Sequence, residues 1–370
     1  MIVGIPKEIK AGENRVSLTP AGVEVMRQNG HTILVERNAG VRSGFDDEAY
    51  ARAGAELVDG SPEVFRRADM ILHVKEPQPS EYDLLREGQI YFAYLHLAAS
   101  ARVTRLLMER DVIAIAYETV QKANGSLPLL KPMSEVAGPM AIQEGAKYLE
   151  MAQGGHGVLL GGVPGVDPGT VVIIGGGVVG MHAAKRACGL GAKVYVLDVN
   201  TDRLRYLSDV MPPNCFLCMS SPAAIRELIK TADVVVGAVL IPGSKTPTMV
   251  TRDMLLTMKK GAVLVDVAID QGGCFETSKE TTHEDPTYTI DGVVHYAVSN
   301  MPGALPRTAT LALTNATLLY ALEIAAKGWK EALRSNAEIK RGANVVQGHV
   351  TYEAVAANLG LNYTPIEGLL

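Results

Sequence analysis

The sequence predicts an α/β protein of two doubly wound parallel-sheet domains, one inserted in the other. Three observations carry this reading. Short apolar runs alternate with helical patterns from the first residues onward, and strands separated by helices imply parallel sheets with crossover connections. The alternation begins again after a glycine-rich segment running from Gly154 to Gly169. The 370 residues suggest two domains, or three small ones, at roughly 150 residues each, and an apolar content of 47% is enough to bury a large core.

Local signals order the elements. Ile2 to Ile5 is a short apolar run and reads as the first strand. Thr19-Pro20 reads as a helix N-cap and first helical residue, and Gly30 as the stop. His31 to Glu36 is β-rich. Met70 to Val74, Ile90 to Leu95 and Val112 to Tyr117 are further apolar runs with helical patterns between them. Pro128, Pro132 and Pro139 punctuate the next stretch, and a long helical pattern follows from Ala141 to Met151. Beyond the glycine-rich loop the strand candidates are Val171 to Ile174, Val194 to Leu197, Phe216 to Met219, Val234 to Val236 and Val263 to Val267. After Pro306 the pattern is helical from Ala309 to Lys327. The tail, with Trp329 to Arg334 and Tyr352 to Leu359, is expected to be largely helical, with no strand series of its own. It is therefore assigned to the first domain. The expected division is 1–130 with 307–370 as a discontinuous domain, and 131–306 as the inserted one.

Composition excludes several function classes. Lys plus Arg number 35 against 40 Asp plus Glu, a net charge of −5. With no basic blocks, nucleic acid is not the expected partner. No uninterrupted apolar run approaches the roughly 20 residues of a membrane span. The start, Met1-Ile2-Val3-Gly4-Ile5-Pro6-Lys7, reads as a strand and not a secretory signal. Four Cys in 370 residues do not make a disulfide framework. A cytoplasmic protein is expected. Aromatics are 5%, with Trp329 the one Trp, which disfavours a carbohydrate-stacking surface.

The strongest motif is Val171-Val172-Ile173-Ile174-Gly175-Gly176-Gly177-Val178-Val179-Gly180: a strand, Gly-x-Gly-x-x-Gly, then a helix to about Leu190. Gly175 permits the tight turn, Gly177 lets the backbone approach a pyrophosphate, and Gly180 allows close helix–strand packing. The helix N-terminus offers free N–H groups and a positive dipole end. Asp198 ends the next strand, the expected place for a carboxylate on the ribose hydroxyls. A carboxylate there repels a 2′-phosphate, so NAD is favoured over NADP. The inserted domain is thus read as an NAD-binding Rossmann domain. Arg203 lies just beyond. It could accommodate a phosphate, or be a solvated helix residue.

In an open parallel sheet, ligands bind beyond the carboxyl ends of the strands. Lys75, His96 and Asp270 follow such ends, and Arg15 lies in the loop after the first strand. Each has a plain alternative. Lys75 could pair with Glu76 in solvent, His96 could be a core histidine, Asp270 could cap the turn at Gly272-Gly273, and Arg15 could be a surface cation. Together with a dinucleotide site, a pair of cations suits a carboxylate substrate. Weaker signals carry less. Cys215 and Cys218 have Cys-x-x-Cys spacing but no second pair, and read as structural thiols. His283-Glu284-Asp285 lacks a second His at helical spacing, so no metal site is expected. Glu323 and Lys327 read as an i,i+4 salt pair.

These residues sit in blocks that resemble one family. Gly4-Ile5-Pro6-Lys7-Glu8 and Glu13-Asn14-Arg15-Val16 look like the start of alanine dehydrogenase and of the NAD-binding domain of proton-translocating transhydrogenase. His73-Val74-Lys75-Glu76-Pro77, Tyr94-Leu95-His96-Leu97-Ala98, Pro132-Met133-Ser134-Glu135-Val136-Ala137-Gly138, Val267-Ala268-Ile269-Asp270-Gln271-Gly272-Gly273 and Ser299-Asn300-Met301-Pro302-Gly303 fit bacterial alanine dehydrogenase. The match runs nearly end to end. The resemblance implies oxidation of L-alanine by NAD to pyruvate and ammonium. It implies that Arg15 and Lys75 bind the substrate carboxylate and keto oxygen, that His96 is the acid/base group, and that Asp270 positions the amine, ammonia or water. Ser134, Val178, Val179, Asp198, Arg203, Ser220, Val239, Leu240, Lys279, Val298, Asn300 and Met301 would line the cofactor site, with Val267, Ala268, Ile269 and Ser299 beside them. A homohexamer is implied; a dimer is the general alternative. Competing functions are an NAD(H)-binding hydride-relay subunit of a transhydrogenase and a non-enzymatic NAD sensor.

Overall fold

The structure, a computed structural model, describes residues 1–239 and 246–370. It divides into two compact units, Met1–Met133 with Leu305–Leu370, and Ser134–Ala304. In chain order the strands are β1 (Ile2–Ile5), β2 (Thr32–Glu36), β3 (Glu56–Val58), β4 (Met70–Leu72), β5 (Ile90–Ala93), β6 (Ile113–Ala116), β7 (Thr170–Ile174) and β8 (Lys193–Asp198). They continue with β9 (Cys215–Met219), β10 (Val234–Gly237), β11 (Val263–Asp266), β12 (Thr287–Ile290), β13 (Val293–Tyr296), β14 (Ala343–Val346) and β15 (His349–Val350).

The first unit holds an eight-stranded sheet in the order β15-β14-β6-β5-β4-β1-β2-β3. β1 to β6 are mutually parallel, while β14 and β15 join antiparallel. Winding runs from β1 outward through β2 and β3, then reverses through β4, β5 and β6. The second unit repeats the plan. Its seven-stranded order is β12-β13-β11-β10-β7-β8-β9, and β12 is the antiparallel edge. The expected doubly wound α/β class holds in both sheets, with antiparallel strands added at the margins.

Both faces of the first sheet are covered, which is why its inner strands β4, β5 and β6 are apolar and buried throughout and not alternating. Val3, Ile5, Ile33, Val35 and Ile115 share one core with Leu313 and Ile324 of the long helix Pro306–Ser335. Ile71, Tyr91, Ala93 and Ala114 face a second core. By length and composition alone Pro306–Ser335 would pass for a membrane span. Here its apolar side is core: Ala309, Leu313, Ala321, Ile324 and Ala325 are buried. Gly328 breaks it with a φ of 73°, so one helix ends at Lys327 and a second resumes through Ser335. The helix Pro20–Gln28 has the expected Thr19 cap, whose oxygen accepts from Gly22 N–H.

The structure corrects some of these expectations and adds elements to others. The helix read as Ala141 to Met151 spans Lys131–Tyr148. Pro132 falls in its first turn, where the missing N–H costs nothing, and Pro139 sits inside. Gly138 and Gly145 let this helix lie close on its own unit, since a Cβ at Gly145 would come within 2.9 Å of Val234. The tail does have strands, β14 and β15, turned by Gln347 and Gly348 at φ 50° and 75°. β12 and β13 are a further hairpin, joined by Asp291 and Gly292 at φ 51° and 80°. Asp-Gly with both residues at positive φ is a strong hairpin signal. Finally, β4 and β5 are linked by a 3-10 turn, Pro79–Leu84, and not by a helix, and β3 is a three-residue edge strand with too little sequence to show a period.

The i,i+4 pair forms as expected, Lys327 Nζ to Glu323 Oε1 at 2.7 Å. All four cysteines are free. Cys215 interacts with Cys188.

The aromatic cluster of the first core supplies a test of packing. Phe92 is fully buried and meets the Tyr117 ring edge-on at 4.4 Å. Phe92→Ala should destabilise the first unit by about 3–5 kcal/mol, read as a lower urea midpoint. An unchanged midpoint would contradict this packing.

Candidate active site

Where winding reverses, the loops after two adjacent parallel strands leave in opposite directions and open a crevice at their carboxyl ends. In the first unit that point lies between β1 and β4. Arg15 comes from the loop after β1, Lys75 from the loop after β4, and His96 from the loop after β5. The fold therefore puts all three on one edge of one sheet.

Arg15 is not a surface cation; it is 2% exposed. Its Nε donates to Glu13 Oε1 at 2.7 Å and its Nη2 to Glu13 Oε2 at 2.5 Å, while Nη1 faces Met133 Sδ at 2.9 Å. Burial alone would raise the Glu13 carboxyl. The Arg15 charge and its hydrogen bonds override burial and hold the carboxyl at about 2. Two-point pairing fixes the plane of the guanidinium.

Lys75 is half-buried. The surface pair with Glu76 does not form, because Lys10 Nζ takes Glu76 at 2.5 Å. Burial, and then the Arg15 charge, pull the Lys75 ammonium below its ordinary range. Two neighbouring cations on one edge are chemically suited to an anion.

His96 is exposed, which removes the core alternative. It sits in the left-handed region with φ 49°, an uncommon state for a residue with a Cβ. The Glu118 carboxylate, from the loop after β6, holds it there. It accepts the His96 N–H at 2.7 Å and the Leu95 N–H at 3.2 Å. The Tyr94 ring lies near-parallel to the imidazole, 6.3 Å away, and the Tyr94 hydroxyl is itself anchored on Leu129 O at 2.5 Å.

In the second unit the reversal lies between β7 and β10, where the glycine loop follows β7. Gly175 has φ 103°, and a Cβ there would come within 2.6 Å of Ala238 O. A Cβ on Gly180 would collide with the Gly175 carbonyl, whereas Gly177 faces open space. No side chain caps the helix Val178–Gly189, so its first N–H groups, at Val178 and Val179, are left for an anion. The loop thus fits a dinucleotide pyrophosphate. Asp198 accepts Gly176 N–H at 2.7 Å and Asn200 N–H at 2.8 Å. Arg203 is not simply solvated. It staples the loop, donating to Gly176 O at 2.5 Å and Gly177 O at 3.1 Å.

Other expected cofactor positions follow the same carboxyl edge: Ser220 after β9, Val239 after β10, Val267, Ala268 and Ile269 after β11, and Val298 to Met301 after β13. Ser134 lies on the helix Lys131–Tyr148. Lys279 is an exposed loop residue whose N–H donates to Tyr288 Oη at 2.6 Å. Leu240 lies outside the described residues. Asp270 is exposed on a 3-10 turn. It does not cap Gly272-Gly273, whose N–H groups go to Ile269 O and Ala268 O. Its Oδ1 accepts from Ser299 Oγ and, at 3.3 Å, from Asn300 N–H.

Three supporting carboxylates were not singled out from sequence: Glu13, Glu118 and Asp266. Asp266 is buried at the end of β11 and accepts from Ala268 N–H at 3.1 Å, Cys274 N–H at 2.8 Å and the Ser278 hydroxyl. It shapes the loop that carries Asp270. The available signal was the strand-end rule, applied to acids as well as to cations.

Residues 4–137 match the family model described as the alanine dehydrogenase/PNT N-terminal domain, and residues 141–353 match the C-terminal domain of the same description. Curated alanine dehydrogenases from Methanococcus maripaludis and Bacillus subtilis are each 55% identical over 371 aligned residues. These alignments cover 100% of this chain and 100% and 98% of theirs. The chain belongs to the alanine dehydrogenase/PNT family. A solved L-alanine dehydrogenase superposes with a TM-score of 0.95 at 48% identity, covering 97% of this chain and 99% of that one. A transhydrogenase from Sinorhizobium meliloti, covering 96% of this chain and 100% of its own, reaches 0.82 at 24% identity and shows the shared fold. Membership in the alanine dehydrogenase/PNT family bears out the expected class, an NAD-linked oxidoreductase.

Two outcomes are expected. Removing the Asp198 carboxylate (Asp198→Ala) should weaken NADH binding about 10–100-fold, the worth of a hydrogen bond to a charged group. NADPH should be affected less, and fluorescence titration with both nucleotides reads the difference. Equal loss for both would argue against a ribose contact. The second concerns pH. Because the folded Glu13 carboxyl is depressed, its pairing contributes fully above its ordinary value near 4.5 and is lost as pH falls toward about 2. Acid unfolding of Glu13→Gln should therefore be shallower across that window than that of the parent chain.

Proposed function

We propose that this chain catalyses the reversible, NAD-dependent oxidative deamination of L-alanine to pyruvate and ammonium. The observation that carries the reading is the placement of Arg15, Lys75 and His96 on one carboxyl edge, in a chain related over its full length to alanine dehydrogenases. NAD, when bound, supplies the hydride acceptor.

The protein's own residues do the rest. Arg15, held flat by Glu13, takes the substrate carboxylate, and Lys75 takes the keto oxygen. An ammonium beside a guanidinium is drawn to such an anion by charge. The substrate amine must be neutral before its carbon is oxidised, since a cationic nitrogen cannot stabilise the developing positive charge. His96 takes that proton, and in the reverse direction returns it. Asp270, oriented by Ser299 and the Asn300 N–H, holds the amine, ammonia or water. The nucleotide is assigned to the Gly175–Gly180 loop, Asp198 and Arg203. The remaining contacts are assigned to Ser134, Ser220, Val239, Leu240, Lys279, Val267 to Ile269 and Val298 to Met301. A cytoplasmic homohexamer acting on small molecules completes the reading.

His96→Ala should lower alanine-dependent NADH formation by about 10²–10⁴-fold, the usual worth of a positioned acid/base, with NADH affinity retained. A parent chain that binds NADH but does not turn over alanine would sink the reading and favour a hydride-relay or sensor role.

A further inference from the structure

Behind Lys75 lies a buried ionic cluster to which none of these roles assigns a task. His73, the residue after β4 and two before Lys75, is 0% exposed. Its Nδ1 stands 2.7 Å from Glu8 Oε1 and its Nε2 stands 3.4 Å from Glu81 Oε1. The two glutamate side chains are 3% and 1% exposed. Glu8 comes from the loop after β1 and Glu81 from the 3-10 turn Pro79–Leu84. Charges so deeply buried cost much desolvation, and apolar replacements often serve stability as well. Retaining them calls for another reason.

The backbone supplies one. β1 and β4 pair only at Val3–Met70 and Gly4–Ile71, so beyond Ile71 the chain toward Lys75 loses its β1 partner. Glu8 takes over with its side chain, accepting the Val74 N–H at 2.5 Å. On the far side, Glu81 accepts the Gln78 N–H at 2.8 Å, and the Gln78 amide donates to Glu76 O at 2.9 Å. The Tyr91 ring stacks on His73 with centroids 5.8 Å apart, and its hydroxyl donates to the carbonyl of Lys75 itself at 3.2 Å. Glu8, Glu81 and the Tyr91 ring, three of the groups bracing this chain around Lys75, all lie against His73. Burial would lower the imidazole's pKa, but the two carboxylates reverse this and hold it well above its ordinary value.

We propose that His73 is a positioning residue for Lys75: it ties Glu8 and Glu81, the carboxylates bracing the chain on either side of Lys75, into one frame. The inference rests on Lys75 being a substrate ligand, as in the proposed function. His73→Gln removes the charge at similar size. It is expected to raise the KM for pyruvate and alanine about tenfold, the scale of one lost positioning contact, with NADH affinity unchanged and kcat affected less. A folded His73→Gln that has a lower Tm but the parental KM would overturn the proposal, since the cluster would then only stabilise. If His73→Gln does not fold, Tyr91→Phe removes just the hydroxyl on the Lys75 carbonyl. A raised pyruvate KM supports the frame, and the parental KM overturns it. The parent chain is assayed alongside. Absence of alanine turnover there overturns the proposed function and this inference with it, whereas an active parent with unresponsive variants overturns this inference alone.

Discussion

A parallel sheet gives every strand the same direction, so all of its carboxyl ends open on one edge. Where winding reverses, the two loops flanking the reversal move apart and leave room for a ligand. Both sheets obey this constraint, at β1/β4 and at β7/β10. Arg15, Lys75 and His96 on one sheet, and the glycine loop, Asp198 and Asp270 on the other, are consequences of strand direction before they are consequences of side-chain chemistry.

Electrostatic support then differs between the sheets. At its glycine loop the second unit works with backbone dipoles steadied by half-buried charges: uncapped N–H groups, a loop stapled by Arg203, and the Asp198 carboxylate folded back on Gly176. The first works with formal charges taken out of water. Arg15–Glu13 and the His73 cluster both lie near the β1/β4 reversal, and both are almost wholly buried. A buried charge is tolerated only with a partner fixed in place. Each pair therefore rigidifies the backbone that carries it, which suits a receptor for a small carboxylate with few atoms to grip.

Much of the fold was legible because the signals are local. The Val171–Gly180 run combines a strand, three glycines with separate steric duties and a helix start, and each duty recurs in the structure. Thr19-Pro20 and the apolar runs at Ile90 and Ile113 likewise depend on neighbours only. What was not legible depends on distant chain. β14 is a strand because β6 offers it an edge, and nothing in Ala343–Val346 announces that. Pro132 looked like a break because its place in a first turn depends on where the helix begins. The Asp291-Gly292 turn was an available local signal that pointed to β12 and β13.

The sequence by itself determined the two α/β domains, the dinucleotide loop with Asp198 at the end of the next strand, and the strand-end cations and histidine. Periodicity, glycine sterics and strand direction act over a few residues at a time. Only the tertiary structure decided which group each supporting acid holds. Glu13 on the Arg15 guanidinium is two residues away, but Glu118 on the His96 backbone N–H is 22 residues away, and Glu8 beside His73 joins loops after two different strands. Such pairs form because the sheet order makes β1, β4, β5 and β6 consecutive neighbours in space, with their carboxyl-end loops side by side. The energy of a buried charge then depends on the partner that packing places within reach.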